Sequence, residues 1–263
     1  MQHRIENLLV IGDSLTDRGT MARSAIAAFS GLYGKSPHGR FTNGYVWLDY
    51  FIQQMSHQGQ EPEWIQPKAP QKKSLFSINN DEYVGTQASP IFARTYCIGG
   101  MTAYDYSDVF RPGHCILNAE AKVLQTLDGM RQEVITDDAY IERQDDEKKS
   151  TLVIEWSGAN DLITINEKPT RESAQRAVEA RIDNMKALID QGYRCFVLFN
   201  LPDLSLTPRF KNGNADLRAS AADSVLYFNQ HLSEKMNEII EQYPDCKINL
   251  FDANALFTDA YHN

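Results

Sequence analysis

The chain has 263 residues, of which 42% are hydrophobic and 23% charged, and its formal net charge at pH 7 is -9. This composition is typical of a globular protein, and we expect a single α/β domain over residues 1–263. The acidic balance argues against nucleic-acid partners, which require a basic face. No basic cluster is larger than the pairs Lys72-Lys73 and Lys148-Lys149.

The start of the chain does not resemble an export signal or a membrane anchor. Its first apolar run, Leu8 to Ile11, is far shorter than a signal-peptide core or a membrane span. We therefore predict a cytoplasmic location, or secretion without a Sec signal peptide, and no integral membrane segment. The cysteines are widely spaced without a CxxC pattern, so we expect free thiols and no metal site: Cys97, Cys115, Cys195 and Cys246.

The first predicted strand, Asn7 to Ile11, ends abruptly in Gly12-Asp13-Ser14-Leu15. Branched apolar residues interrupted by Gly-Asp-Ser are typical of a buried strand that ends in a tight turn. We expect the turn to expose the Ser14 hydroxyl where a helix could begin, which is where ligands bind in open α/β sheets. The simpler interpretation is a strand followed by an N-capping Asp or Ser.

Two later predicted strands end in residues that complement a serine. Thr95 to Ile98 leads into Gly99-Gly100, and Thr151 to Trp156 precedes Gly158-Ala159-Asn160-Asp161. The three strand ends thus carry a hydroxyl, a bare glycine backbone and a carboxamide. Acyl transfer requires this set, because the tetrahedral oxyanion formed when serine attacks an ester needs preorganised hydrogen-bond donors.

Two segments match neither a strand nor a helix. Ser56 to Ala93 is polar and rich in turn residues. We interpret it either as a mobile cover over an acyl pocket or as a solvated insertion. Asp137 to Ser150 contains a run of charged residues and is predicted to be an exposed linker.

The remaining elements predict a doubly wound α/β fold. Amphipathic helices are predicted over Arg171 to Gln191 and Ala215 to Ile240. Further strands are predicted over Cys195 to Asn200 and Lys247 to Phe251. Short apolar strands that alternate with helices indicate a parallel sheet covered on both faces. The sequence therefore predicts a three-layer domain with a five-stranded parallel sheet.

At these strand ends the chain resembles the GDSL esterases and lipases, also called SGNH hydrolases. The resemblance depends on Gly12-Asp13-Ser14-Leu15, Gly100 and Gly158-Ala159-Asn160-Asp161. Other residues resemble the branch of phospholipases A, lysophospholipases and acyltransferases: Gly39 to Gly44, Trp47, Asn200 to Leu204, Thr207-Pro208, Phe228 to Gln230, Leu232 and Leu250 to Asp252.

The resemblance implies a flavodoxin-like strand order and a role for each strand end. Ser14 would be the nucleophile, and the backbone N–H groups of Ser14 and Gly100 and the Asn160 side chain would hold the oxyanion. The implied substrates are acyl esters or phospholipids, and no metal or organic cofactor is required. Asp17 and Asp161 are assigned no catalytic part. We expect Asp17 to stabilise the first turn, and Asp161 either to orient Asn160 or to cap a helix.

The sequence departs from its family in the late Asp-x-x-His motif. That spacing occurs from Asp259 to His262, after the last predicted strand. A base so close to a terminus would lie on a fraying end, and residues 250–257 resemble a family segment that precedes a further loop. We therefore expect a domain truncated at its C-terminal end, an acid–base pair beyond Asn263, and poor esterase activity. The Asp259–His262 pair is the alternative base, and the other histidines are expected to be loop or surface residues, of which His38 is the least implausible base because its neighbours match a family block.

Two other functions compete with an ester hydrolase. A non-catalytic binding module would keep the fold and pocket but lack a functional Asp–His pair. A flavodoxin-like nucleotide binder would use the Gly12 turn as an anion cradle. The chain lacks the P-loop lysine and the spaced glycines of a dinucleotide site, so the binding module is the stronger of the two.

Overall fold

The computed structural model describes residues 5–20, 42, 44–56, 79–86, 89–109, 125–166 and 168–263. The strands in these ranges are β1 (Asn7–Gly12), β2 (Asn79–Thr86), β3 (Ser89–Cys97), β4 (Thr151–Trp156), β5 (Cys195–Phe199) and β6 (Lys247–Phe251). They form one sheet in the order β2-β3-β1-β4-β5-β6. Every neighbouring pair is parallel except β2 and β3.

The parallel strands have the flavodoxin-like order that the family resemblance implies. Numbered along the chain, the five parallel strands lie in the order 2-1-3-4-5 across the sheet. β1 is central and completely buried, with β3 on one side and β4 on the other. The predicted five-stranded parallel α/β fold is therefore confirmed.

The antiparallel edge corrects the interpretation of Ser56 to Ala93. The second half of this segment forms β2 and the beginning of β3, so β3 starts at Ser89 and not at the predicted Thr95. A charged residue such as Arg94 argues against a buried strand when only the sequence is considered. In the structure its guanidinium is buried and donates to Asp138 at 2.5 Å. The part of the proposed cover between residues 57 and 78 lies outside the described residues.

Helices cover both faces of the sheet. They are α1 (Trp47–Ser56), α2 (Leu127–Tyr140), α3 (Asp145–Lys149), α4 (Ala159–Ile163), α5 (Arg171–Asp190), α6 (Pro208–Lys211), α7 (Ala215–Gln242) and α8 (Ala253–His262). α5 packs against both α2 and α7 on one face. Because successive residues of β4 point to opposite faces, Glu155 meets Arg181 of α5 while Ile154 and Trp156 face α1 and α8.

The two long predicted helices are confirmed, and the sequence accounts for their ends. The Thr170 hydroxyl accepts from the Ser173 amide at 3.1 Å before α5, and the Asn214 side chain accepts from the Leu217 amide at 2.7 Å before α7. Gly192, with a φ of 102°, follows the end of α5. The predicted apolar stripe of α5 is buried: Ala174, Val178, Ile182, Met185 and Leu188.

The charged run within Asp137 to Ser150 is largely exposed, as predicted, but the segment is mostly helical and not an irregular linker. α2 continues through Tyr140, and α3 begins at Asp145 after a capping box made by Gln144 and Glu147. Asp138 is buried and accepts hydrogen bonds from Arg94 and from the Tyr193 hydroxyl. Partners distant in the sequence therefore neutralise a charge that looks solvent-exposed in isolation.

Three cysteines agree with the predicted free thiols. Cys97 and Cys195 are buried, Cys246 is partly buried, and each is unpaired. Burial raises the pKa of the Cys97 thiol well above its usual value, which disfavours the reactive thiolate. Cys115 lies outside the described residues.

Candidate active site

The three predicted site turns lie side by side at the carboxyl edge of the sheet. Gly12 is in register with Cys97 of β3 and with Trp156 of β4, so the three strands end at the same level. The Ile98 amide donates to the Gly12 carbonyl at 3.1 Å, and the Asp13 amide donates to the Trp156 carbonyl at 3.3 Å. These bonds continue the pairing beyond the strands and hold the beginnings of the turns together.

Ser14 lies in a tight turn after β1. The Asp13 carboxylate accepts from the Leu15 amide at 3.0 Å, and the Asp13 carbonyl accepts from the Thr16 amide at 3.0 Å. These bonds favour a turn where the sequence suggested that a helix could begin. The Ser14 side chain is partly exposed, and its hydroxyl forms no hydrogen bond with any residue in the described ranges.

Gly100 lies in a second turn that glycine makes possible. The Met101 amide donates to the Ile98 carbonyl at 3.3 Å and closes the turn, in which Gly100 has a φ of 83°. A side chain would strain this conformation. The Gly99 amide donates to the Asp17 carboxylate at 2.9 Å, so the turn after β3 is bonded to the segment after β1.

Asn160 lies in the short helix α4 and is buried. Its amide nitrogen donates to the Met101 carbonyl at 2.9 Å, and its side-chain oxygen accepts from the Thr164 hydroxyl at 2.7 Å. A carboxamide nitrogen carries two hydrogens, so one is left for a ligand after the bond to Met101. Asn160 thus joins the third strand end to the second.

Gly158 sets the direction of α4. Its φ of 105° lies in the left-handed region, and a Cβ built there would lie 2.8 Å from the Phe228 ring of α7. Glycine is therefore required both by the backbone conformation and by the close approach of the ring.

Asp161 links the same two strand ends through backbone amides. Its carboxylate accepts from the amides of Ala103 at 2.8 Å and Tyr104 at 2.9 Å. It therefore binds the segment after the Gly100 turn, whereas the sequence suggested that it orients Asn160 or caps a helix. Asp17 stabilises its own turn as predicted, by accepting from the Gly19 and Thr20 amides, but its bond to Gly99 was not predicted.

Buried carboxyl groups dominate the electrostatics of the site. Burial raises the pKa of Asp13 to about 7, and the negative charges of Glu155 and Asp161 add to the shift. Burial also raises the pKa of Asp161 to about 7, against the opposing effect of its bonds to Tyr104 and Ala103. The Arg181 guanidinium opposes the shift of Asp13, but burial outweighs it.

The Asp259 and His262 side chains do not form a pair. Both are exposed on α8, and no hydrogen bond or ion pair joins them. The His262 ring instead contacts Tyr261 at 5.2 Å between centroids. His231 stacks on Tyr227 in α7 and lies 3.7 Å from the Glu234 carboxylate. The other histidines, His3, His38, His57 and His114, lie outside the described residues.

An apolar chamber of about 400 Å³ lies beside the serine turn, between the sheet and helices α1 and α8. Phe251, Leu256 and Phe257 are each more than a third exposed, so the chamber opens at α8. The Trp47 indole N–H donates to the Thr16 hydroxyl at 3.2 Å and ties α1 to the serine turn. The lining side chains are Leu15, Trp47, Phe51, Leu152, Ile154, Trp156, Val197, Phe199, Phe251, Ala253, Leu256 and Phe257.

The flavodoxin-like sheet with Gly-Asp-Ser-Leu at its first strand end defines an ester hydrolase of the GDSL class. The family model for the GDSL-like lipases and acylhydrolases matches residues 8–262, and the chain belongs to this family. The enzyme class predicted from the sequence is thereby confirmed at the level of the family.

Two curated relatives are similar to almost the whole chain. The secreted effector protein SseJ of Salmonella typhimurium is 24% identical over 254 residues, which is 96% of this chain and 48% of the relative. The phosphatidylcholine-sterol acyltransferase of Aeromonas hydrophila is 26% identical over 255 residues, which is 96% of this chain and 59% of the relative. The chain thus spans about half the length of the relatives that it matches.

The described ranges contain neither a metal cluster nor a membrane-spanning helix. No three His, Cys, Asp or Glu side chains gather there in a way that could hold a metal ion. No helix in the same ranges has both the length and the apolar character needed to cross a bilayer.

Proposed function

We propose that this chain contributes the nucleophile and the oxyanion donors of a serine-dependent carboxylic-ester hydrolase or acyltransferase that acts on lipid-like acyl esters. The phospholipases A and lysophospholipases are the substrate-defined classes that we favour. The observation that carries the proposal is the direct bonding of three adjacent strand ends. Asp17 binds Gly99, and Asn160 binds Met101, on either side of Gly100.

The reaction is a double displacement. The Ser14 oxygen attacks the acyl carbonyl and forms a tetrahedral oxyanion, to which the Ser14 and Gly100 amides and the second Asn160 amide hydrogen donate. Collapse breaks the ester C–O bond, and the departing alkoxide takes up the proton lost by Ser14. Water or an acceptor alcohol then attacks the acyl-enzyme, takes the acyl group and returns a proton to Ser14.

A general base has to carry the Ser14 proton, and its identity stays a prediction. Asp259 and His262 have the family spacing, but they are exposed and unbonded to each other. A catalytic histidine is normally held by its carboxylate in one orientation and tautomer. This observation supports an Asp–His pair elsewhere in the protein.

The apolar chamber supports a lipid-like acyl group. Leu15 directly follows Ser14 and forms part of the chamber wall, and the other lining side chains are also apolar. Its volume falls within the range of about 300–1,000 Å³ that is usual for ligand pockets. The name of the Aeromonas relative, a phosphatidylcholine-sterol acyltransferase, supports the same substrate class.

Covalent labelling with a fluorophosphonate tests the nucleophile. The proposal predicts one label per chain, located on Ser14 by peptide mass spectrometry and abolished by Ser14→Ala. Ser220→Ala, a change on α7, is the matched control and should label like the unmodified chain. Absence of labelling together with thermal stabilisation by a lysophospholipid would instead support the non-catalytic binding module.

We propose that the protein is either cytoplasmic or secreted. The description of the Salmonella relative as a secreted effector supports the second location. Fractionation of the source cells, followed by immunodetection in medium and lysate, distinguishes the two.

A further inference from the structure

The segment that contains Gly100 is held from both sides by buried acidic and amide side chains. Asp17 reaches it from the turn after β1 and binds Gly99. Asn160 and Asp161 reach it from α4 and bind Met101, Ala103 and Tyr104. The segment therefore has bonded positions immediately before and after Gly100.

The Asp17 carboxylate is a hydrogen-bond acceptor that its own turn holds in place. One oxygen of its carboxylate accepts from the Gly19 amide at 2.8 Å and the Thr20 amide at 2.6 Å. The other oxygen accepts from the Gly99 amide at 2.9 Å, and the side chain is completely buried. Because its own turn immobilises the first carboxylate oxygen, the second oxygen also has a defined position. The Gly99 amide binds to the second oxygen at this position.

The bond to Gly99 matters because two consecutive glycines form the flexible part of this turn. Glycine loses more conformational freedom on ordering than any other residue, so the Gly99-Gly100 backbone needs external restraint. The hydrogen bond from the Gly99 amide to Asp17, which we call the tether, fixes the position of the Gly99 nitrogen. Only the φ and ψ angles of Gly99 lie between this nitrogen and the Gly100 N–H. The tether therefore restricts the direction of the Gly100 N–H.

We propose that Asp17 is a positioning residue for the Gly100 oxyanion donor. This inference rests on the proposed function, because it assumes that the Gly100 N–H binds the oxyanion of an ester attacked by Ser14. A carboxylate is needed because both oxygens accept hydrogen bonds, whereas a carboxamide has one accepting oxygen and places a donor at the other site. In Asp17→Asn the side-chain NH2 group therefore faces a backbone N–H, either that of Gly99 or those of Gly19 and Thr20, and cannot accept a hydrogen bond from it.

The test compares Asp17→Asn with Asp105→Asn in the intact protein, which includes the general base of the proposed function. Asp105 also accepts from a nearby amide, that of Ser107 at 2.8 Å, but it is exposed and the bond lies within one turn. Three quantities are measured for each variant: the hydrogen-exchange rates of the Gly99 and Gly100 amides by NMR, the rate of Ser14 labelling by a fluorophosphonate, and kcat and KM for a p-nitrophenyl ester.

Asp17→Asn should raise the exchange rate of Gly99 at least tenfold and slow labelling and kcat by about ten- to a hundredfold, since a misplacement of about 1 Å can cost a hundredfold. KM should change less than twofold, because the lost interaction is made with the oxyanion and not with the bound ester. Asp105→Asn should leave all of these values unchanged. A purely structural role would lower the fraction of active protein without this selective effect on the rate.

The proposal is overturned if Asp17→Asn releases the Gly99 amide while labelling proceeds at the unmodified rate. An unmodified intact protein that does not label at all rejects the proposed function, and the exchange data then show separately whether the bond between Asp17 and Gly99 exists. If Asp17→Asn does not fold, Asp17→Ser is used in its place. The serine hydroxyl can still accept from the turn amides of Gly19 and Thr20, but it lacks the second oxygen that binds Gly99, so this variant should show the same loss of rate.

Discussion

The Arg181 guanidinium and the Glu155 carboxylate form a buried ion pair with an Nε–Oε2 distance of 2.6 Å. Neither side chain is more than 2% exposed. Arg181 also donates to the Phe199 carbonyl at 2.9 Å, so a single side chain of α5 binds the ends of both β4 and β5. The Ser157 hydroxyl donates to the other Glu155 oxygen, which connects the pair to the turn that leads to Asn160.

Removing the cation of this pair should strongly destabilise the domain. In Arg181→Met the Glu155 carboxylate is left buried without its partner, and we expect a loss of about 3–5 kcal/mol in the free energy of unfolding. Urea unfolding followed by circular dichroism measures the change. Arg176→Met removes an exposed pair with Glu172 and should cost less than about 1 kcal/mol. Equal losses for the two variants would show that burial of Glu155 does not determine the effect.

The sequence correctly predicts the elements in which the local pattern of apolar and polar residues matches their position in the fold. The bounds of Thr151–Trp156 and Lys247–Phe251 are predicted correctly because each segment is bordered by turn residues or charges. The apolar stripe of α5 also appears at its correct spacing. In these cases local periodicity and burial indicate the same element.

The errors arise where distant partners change the meaning of a residue. Arg94 and Asp138 each look exposed, but they neutralise each other across 44 positions of the chain. The bonds of Asp17 to Gly99 and of Asp161 to Ala103 span 82 and 58 positions. Such contacts leave no periodic signal, so the sequence indicates that Ser14, Gly100 and Asn160 belong to one site but not what holds their turns together.

Gly158→Ala should destabilise the domain by about 1–3 kcal/mol, because it forces a side chain into a left-handed conformation and against the Phe228 ring. Thermal and urea unfolding measure this loss. Gly44→Ala is the control, since a Cβ there meets nothing within 4 Å, and its effect should stay within about 0.5 kcal/mol. In the double variant Gly158→Ala/Phe228→Leu the two losses should be less than additive. Strict additivity would mean that the ring contact contributes nothing.

Asp13→Asn should change how stability depends on pH. Burial raises the pKa of Asp13 from 3.8 to about 7, so the folded state binds more protons than the unfolded state between these values. The stability that this carboxyl contributes is complete below about pH 4 and is lost as the pH rises through 7. The asparagine cannot ionise, so the unfolding midpoint of Asp13→Asn relative to the unmodified chain should rise from pH 5 to pH 8.

Asp223→Asn is the control for the pH measurement. The exposed bond to Arg171 lowers the pKa of Asp223, so this group is already ionised at pH 5 in both the folded and unfolded states. Its stability contribution is lost only as the pH falls further, and the midpoint difference for this variant should be the same at pH 5 and pH 8. A constant difference for Asp13→Asn as well would contradict the raised pKa.

Narrowing the apolar chamber should alter the preferred acyl length if that chamber receives the acyl chain. Val197 lies on β5 within the lining, and Val197→Phe places a ring in the space beyond Leu15 and Trp156. We expect kcat/KM for a p-nitrophenyl laurate to fall at least tenfold and that for the acetate to change less than twofold, because only the longer chain reaches the new ring. Leu226→Phe, at an exposed position of α7, should leave both values unchanged. An equal loss for laurate and acetate would indicate a general disturbance of the sheet, whereas unchanged values for both esters would place the acyl chain outside the chamber.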